Sequence, residues 1–307
     1  MACSLETKRR QLCTALTILC LTGCSIHRMA LKSMGDALSR ASDEYARDED
    51  PELVKAAIPF SLKVMETILR DNPRDQTLLL NLTKGFTQYA FGFLLPDAEA
   101  LDDKDKVAAK AIRDRAVRMF IRARGYGLRA LEVKHPNFGS LLAADPKKAA
   151  ASLTRADVPA AFWTGAAWGS AIATSRDFRM LPELPRMESL LERVLTLDDS
   201  YDAGAVHTLF ITYEMVRLKP NGDRVALATK HFERALALTQ GKQAGPYVTY
   251  AESVLTVEKN RAEFERMLHT ALAIDPAKDP DDRLENVIMQ RRARWLLGRV
   301  DQLFPKK

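Results

Sequence analysis

Ala228-Thr229-Lys230-His231-Phe232-Glu233-Arg234-Ala235 sets a small residue, a bulky one four positions on, and a second small one three further. At helical spacing all three share one face. Ala116, Phe120 and Ala123 repeat the pattern, and Phe264, Leu268 and Ala271 give a looser copy. Small residues let a partner helix cross closely while the aromatic ring fills the gap beside them. The stretch therefore reads as the second helix of a packed pair, and the chain as several such pairs.

Punctuation along the chain agrees. Asn72-Pro73, His135-Pro136 and Asp275-Pro276 close three apolar helical segments, and Asp198-Asp199 closes a fourth. Proline stops a helix because its ring forces the preceding residue out of the α region. First-helix partners fit residues 77–93, where Leu82, Gly85 and Tyr89 fall at repeat positions, and residues 203–218 and 247–258. Lys219-Pro220-Asn221-Gly222 is a turn, 241–246 a loop whose Pro246 can open the next helix, and Asp281 or Asp282 can cap a last helix over 283–303. Two connections look long, 96–105 and 135–159. The expected fold is all-α: degenerate tetratricopeptide-like helix pairs stacked as a solenoid, one domain over 51–307, of about ten to twelve helices.

Composition permits this. The 307 residues are 47% apolar and 28% charged, with 14 Gly and 14 Pro, which excludes a collagen-like or disordered chain. Ala, Leu and Arg are plentiful and β-branched runs scarce, a helical balance. Net charge is +6, a small surplus of mixed signs that gives no reason to expect nucleic acid.

All four cysteines, Cys3, Cys13, Cys20 and Cys24, fall at the amino terminus. Lys8, Arg9 and Arg10 precede the uncharged run 12–21, which is too short to span a bilayer but fits a secretory signal. Leu21-Thr22-Gly23-Cys24 then resembles a bacterial lipobox. Residues 1–23 are expected to be a lipoprotein signal peptide. Cys24 is expected to carry lipid, and 24–50 to form a tether with the start of a first helix at 31–47. With Cys24 the sole cysteine after cleavage, a disulfide within one mature chain is impossible. Ser25 in place of Asp favours the outer membrane by resemblance to the sorting rule of such lipoproteins. No later segment reaches 18 apolar residues, so a soluble periplasmic body on a lipid tether is expected.

Residues 160–173, Ala-Ala-Phe-Trp-Thr-Gly-Ala-Ala-Trp-Gly-Ser-Ala-Ile-Ala, carry no charge. Phe162, Trp163, Trp168 and Ile172 point to nearly every side of a helix, so the segment is central. Gly165 and Gly169 lie one turn apart and open room for a close neighbour. The aromatics either fill a core or line an apolar cavity. With the lipobox and the degenerate repeats, Phe162-Trp163-Thr164-Gly165-Ala166-Ala167-Trp168-Gly169 resembles the TRAP transporter T-component family, with 63–73 and 201–213 where that family has repeat helices. TRAP systems are tripartite, ATP-independent importers. The resemblance implies an accessory periplasmic lipoprotein that binds the system's solute-binding protein and a small organic or apolar ligand. It also implies rings, trimers among them. The alternative is a scaffold lipoprotein of an outer-membrane assembly or secretion machine.

The segment 113–134 is rich in arginine: Arg115, Arg118, Arg122 and Arg129 form a stripe that reads as a solvated face. Arg124 instead shares a side with Val117, Phe120, Leu128 and Leu131, while Arg292 and Arg299 lie among Leu284, Ile288, Trp295 and Leu303. An arginine on an apolar face must meet a carboxylate or expose its tip; a guanidinium fork also suits an anionic ligand. The candidate cavity-lining or ligand-binding set is therefore Phe162, Trp163, Trp168, Arg124, Arg292 and Arg299, with one arginine expected beside the tryptophans. His135, His207, His231 and His269 each stand alone in sequence, without metal-ligand spacing. No phosphate loop or nucleophile elbow occurs, and 102–106 lacks the residues of a calcium loop. Neither an enzyme nor a cofactor or metal is expected.

Overall fold

The computed structural model describes residues 44–175 and 177–305. The expected signal peptide, Cys24 and nearly all of the expected tether lie outside them. The described residues are helical and contain no strand. Fourteen helices run in order: α1 (Pro51–Asp71), α2 (Gln76–Tyr89), α3 (Leu95–Leu101), α4 (Lys106–Lys134), α5 (Phe138–Ala144), α6 (Pro146–Ala151), α7 (Val158–Ser175), α8 (Leu184–Leu197), α9 (Tyr201–Val216), α10 (Arg224–Thr239), α11 (Ala244–Tyr250), α12 (Arg261–Ala273), α13 (Arg283–Leu297) and α14 (Val300–Leu303).

Aspartate writes five of the helix starts. The side chains of Asp50, Asp75, Asp105, Asp145 and Asp223 accept backbone N–H bonds at the openings of α1, α2, α4, α6 and α10. Each such cap is worth about 1 kcal/mol. α10 ends on left-handed Gln240 and Gly241, the usual device for releasing a helix C-terminus.

Long α4 packs on α2, α3 and α7, and α7 packs on α2, α4 and α8. α9 pairs with α10, α11 with α12, and α12 with α13. Ala116, Phe120, Ala123, Ala228, Phe232, Ala235, Phe264, Leu268 and Ala271 are all buried, so the spacing that opened the sequence reading marks packed faces. The apolar interior falls into two clusters, one built mainly on α1, α2, α4, α7 and α8, the other on α10 to α13. They adjoin where α9 meets α7 and α8. A second seam brings α13 against α1, with Leu284 and Ile288 packed on the first cluster. Four ion pairs tie that seam: Arg47–Asp281 at 2.7 Å, Arg291–Glu52 at 2.8 Å, Arg299–Asp103 at 2.8 Å, and Arg292–Glu99. The beginning and the end of the described chain are thus joined.

Several expected boundaries change. The supposed connections 96–105 and 135–159 contain α3, α5 and α6, because Ala98, Phe138, Leu142 and Ala149 are buried and draw short helices onto the core. The helix expected over 283–303 breaks after Leu297 and resumes as the short α14, and Asp282 makes no side-chain cap bond to α13. α9 opens on three left-handed residues, Asp202, Ala203 and Gly204. At Gly204 the φ of +82° favours glycine, and a Cβ there would also press on Leu238 Cδ1 of α10 at 2.5 Å.

Candidate functional site

α7 is the central helix. Residues 160–168 are all buried. Room for them comes from glycine on both sides of the crossing. A Cβ on Gly165 would stand 2.7 Å from Leu191 of α8, and one on Gly169 would stand 3.7 Å from Met187, so side chains rather than backbone approach these glycines. On α4, a Cβ on Gly127 would meet Thr164 Oγ1 at 2.1 Å and Thr83 Cγ2 at 3.1 Å.

Phe162 and Trp168 sit inside this packing, and Trp163 keeps 9% of its surface. Polar groups on the tryptophans find partners: Trp163 Nε1 donates to Tyr201 Oη at 3.2 Å, and Trp168 Nε1 donates to Glu183 Oε2 at 2.6 Å. Tyr201 also meets Phe162 edge-on at 5.7 Å. Burial, with Asp202 close by, pushes its phenol up to about 12.

Of the three singled-out arginines, Arg124 is the one beside α7. Its guanidinium lies 4.8 Å from the Trp168 ring centroid and donates to the same Glu183 oxygen at 2.6 Å. Arg292 and Arg299 are elsewhere, flanking Trp295 at 4.4 and 4.7 Å from its centroid. Arg292 Nε donates to Glu252 Oε2 at 3.1 Å, and its other nitrogens reach Glu252 and Glu99. All three are thus neutralised internally, the ordinary state of a partly buried guanidinium. Along α4 the stripe is only partly solvated. Arg122 pairs with Glu66, and Arg129 donates to the Pro73 carbonyl at 2.9 Å. Burial raises the Glu66 carboxyl, but bonds from Lys63 and Tyr126 together with Arg122 outweigh it and hold the group low.

The open charges lie between the two halves, around Glu285 of α13. Its side chain is accessible, yet burial is the leading cause that raises its carboxyl to about 7, ahead of nearby Asp202 and Asp282 and against Lys84. Lys84 of α2 holds its Nζ 5.6 Å from the Trp163 ring centroid. Tyr201, at the start of α9, reaches the same tryptophan through its hydroxyl. A Cβ on Gly245 would lie 3.2 Å from Glu285 Oε1, which brings the opening of α11 against α13. Asp282 accepts from Gln243 Nε2 at 2.8 Å. Among the described residues, the side chains of Glu285 and Asp202 make no hydrogen bond or ion pair, and the Lys84 ammonium meets only the tryptophan face. Sequence reading missed Glu285, although it lies one heptad before Arg292 and two before Arg299; the rule that singled out charges on an apolar face reaches it too.

His207 and His231, isolated in sequence, are brought together. Their Nδ1 atoms are 2.8 Å apart, and His207 Nε2 lies 3.3 Å from Asp199 Oδ2. Burial, then His207, Lys230 and Arg217, lowers His231 to about 4. The contact joins α9 to α10, and the separation of 24 positions between the histidines hid it from any motif. No group of three or more potential metal ligands occurs among the described residues. An open groove of about 480 Å³ runs past Glu188, Glu192, Arg217 and Lys219. Arg217 there already donates to Glu188, Glu192 and Glu214, so it acts as a hub holding α8 to α9. No described helix is long and apolar enough to cross a membrane.

Comparison with known proteins agrees with this layout. A protein of Treponema pallidum (strain Nichols), described as an uncharacterized protein, is 28% identical over 309 residues, covering 94% of this chain and 95% of its own. The family described as TRAP transporter T-component matches residues 47–304, nearly all of the described structure. The chain belongs to the TRAP transporter T-component family, and its role is accessory to TRAP transport.

Proposed function

We propose that this protein is the periplasmic lipoprotein of a TRAP-type system, tethered through Cys24 to the outer membrane, which binds the solute-binding protein and holds a small ligand. Its helix pairs are degenerate tetratricopeptide-like repeats whose stack is closed by the seam at α13. The supporting observation for ligand holding is the junction of two separately packed halves, where the side chains of Glu285 and Asp202 make no pair among the described residues. Handing cargo on requires no bond to be made or broken, and none of the clusters described above is arranged as a nucleophile with its base.

The test is recovery of the lipoprotein from detergent-solubilised envelopes, followed by mass spectrometry of proteins and small molecules. The expected result is the solute-binding protein of a TRAP system, in amounts that scale with the bait. Recovery of an assembly or secretion machine in its place overturns the reading in favour of a scaffold. Replacing Cys24 by Ser should release the protein from the membrane fraction; continued membrane attachment overturns the tether.

A further inference from the structure

We infer that α1 and α4 together form a face that lies on the anionic phospholipid headgroups of the membrane. The inference rests on the lipid tether proposed above and adds which side of the body that tether holds against the bilayer.

α1 and α4 run side by side in the same direction. Arg122 of α4 pairs with Glu66 of α1, and Arg129 donates to the Pro73 carbonyl just past α1, two contacts with the same offset of 56 positions. On α4 the positions 107, 111, 115, 118, 122 and 125, which share one side of a helix, are all exposed, and Arg129 is partly so. From Arg115 to Arg129 the stripe is about 21 Å long. Among the described residues Arg115, Arg118 and Arg129 form no ion pair. Arg122 and Lys63 share the one carboxylate of Glu66, which leaves a single positive charge from that trio. The face thus keeps a net charge of +4, three from the unpaired arginines and one from the trio. Asp114, on the flank of the stripe, is matched by Lys110 at 2.6 Å.

Aromatic rings brace three of these arginines without neutralising them. The guanidiniums of Arg115, Arg122 and Arg129 lie 5.7, 5.0 and 5.5 Å from the ring centroids of Tyr89, Phe86 and Tyr126. They recur every seven residues, two turns of the helix. Arg115 spends one donor on Tyr89 Oη at 3.4 Å and Arg129 one on the Pro73 carbonyl. Each guanidinium has five N–H donors, so others remain for a phosphate, whose oxygens the fork matches.

Two observations favour a lipid surface over an acidic protein. The exposed stripe of α1 holds Leu53, Ala56 and Phe60 in line with Lys63, Thr67 and Arg70. Leu53 is 59% exposed and Phe60 74%. Apolar side chains beside cations suit the headgroup level of a bilayer, where each finds its own partner. The tether also reaches the body at α1: Tyr45 Oη lies 2.6 Å from Ser61 Oγ, next in sequence to Phe60. Cys24 stands twenty positions before Glu44, the first described residue, a length that reaches at most about 70 Å. An acidic protein would use the arginines but gives no reason for their place beside the tether.

The experiment uses the mature chain with Cys24→Ser, which carries no lipid, sedimented with vesicles of phosphatidylcholine or of an equal mixture with phosphatidylglycerol. Binding to the mixture is expected, half-complete at lipid on the order of 1 mM, and none to phosphatidylcholine. It should vanish at about 1 M salt, where screening shortens to about 3 Å, so Cys24→Ser still leaves salt-washed envelopes. Arg118→Gln should weaken binding about fivefold, and Arg115→Gln with Arg118→Gln about twenty-fivefold. Arg118→Gln is safe for folding, because that side chain is exposed and makes no hydrogen bond or ion pair among the described residues. Lys219→Gln with Lys230→Gln removes the same charge from the other half and should leave binding nearly unchanged. Phe60→Trp should move its emission to shorter wavelength on the mixed vesicles. Absence of binding to the mixture overturns the inference, as do equal binding to both vesicles, equal weakening by the lysine pair, or an unmoved Phe60→Trp emission. Loss of the solute-binding protein with Arg118→Gln while vesicle binding is unchanged assigns the face to an acidic protein instead. Failure with vesicles leaves the tether reading standing, because the chain tested has no lipid; the tether reading fails separately, if Cys24→Ser stays in salt-washed envelopes.

Discussion

Replacing Gly127 by Ala probes the point where three helices cross. In an exposed helix the change would stabilise the protein by roughly 1 kcal/mol, because glycine loses more backbone entropy than alanine. Here the new methyl would sit 2.1 Å from Thr164 Oγ1, 3.0 Å from Thr164 Cβ and 3.1 Å from Thr83 Cγ2. Thr164 and Thr83 are both fully buried, and Thr164 Oγ1 donates to the Ala160 carbonyl, so neither side chain swings aside freely. Overpacking of this kind costs about 1–3 kcal/mol. A cost near the top of that range minus the gain in helix propensity leaves a net destabilisation of about 2 kcal/mol. Thr164→Ala removes the obstructing hydroxyl, so the double variant should regain most of the loss, with a coupling of at least about 1 kcal/mol. Urea unfolding followed by tryptophan fluorescence measures all four proteins, and unchanged slopes certify that midpoints report stability. A Gly127→Ala variant more stable than wild type, with additive behaviour toward Thr164, would refute the close crossing of α4 and α7.

Glu183→Ala should cost about 2 kcal/mol, because the buried Trp168 indole N–H loses its acceptor. Glu183→Gln keeps an acceptor and should cost clearly less; equal losses in unfolding experiments would count against the bond. His231 is held below its ordinary value by burial, so the unfolded chain binds a proton there before the folded chain does. Its contribution is intact above about pH 6.5 and is lost progressively as pH falls toward about 4. Stability curves for wild type and His231→Gln should therefore separate across that window, and parallel curves would exclude the effect. Arg292→Met strands Glu99 and Glu252 and should cost about 2 kcal/mol at pH 8. Burial already raises Glu99 despite Arg292. Protonation should therefore relieve part of that cost near pH 5, and a pH-independent loss would contradict the pairing.

Much of the fold was legible because helix pairing leaves local signatures. Small–bulky–small spacing follows from the 3.6-residue turn and the need for close crossing, so Ala116–Phe120–Ala123 and its copies could be found without a structure. The absence of charge over 160–173 likewise marked α7 as interior. The short helices α3, α5 and α6 escaped notice because seven residues or fewer give too little periodicity to distinguish them from a loop; they are held by burial of Ala98, Phe138 and Ala149. The three arginines stood out as charges on apolar faces, but which carboxylate meets each one depends on residues up to 193 positions away.

From composition and spacing alone, the chain is committed to helices, to a buried neutral helix in its middle, and to arginines that must find partners. Those properties come from interactions within a few turns of one helix, which the order of residues records directly. Which charges end up satisfied and which are left open was decided only by closure of the two halves. Lys84, Asp202 and Glu285 are ordinary polar residues on three separate helices, and Glu285 feels the other two because the seam of α13 with α1 brings the end of the described chain back to its beginning. That is a matter of the angles at which a dozen helix contacts accumulate, and no local pattern encodes their sum.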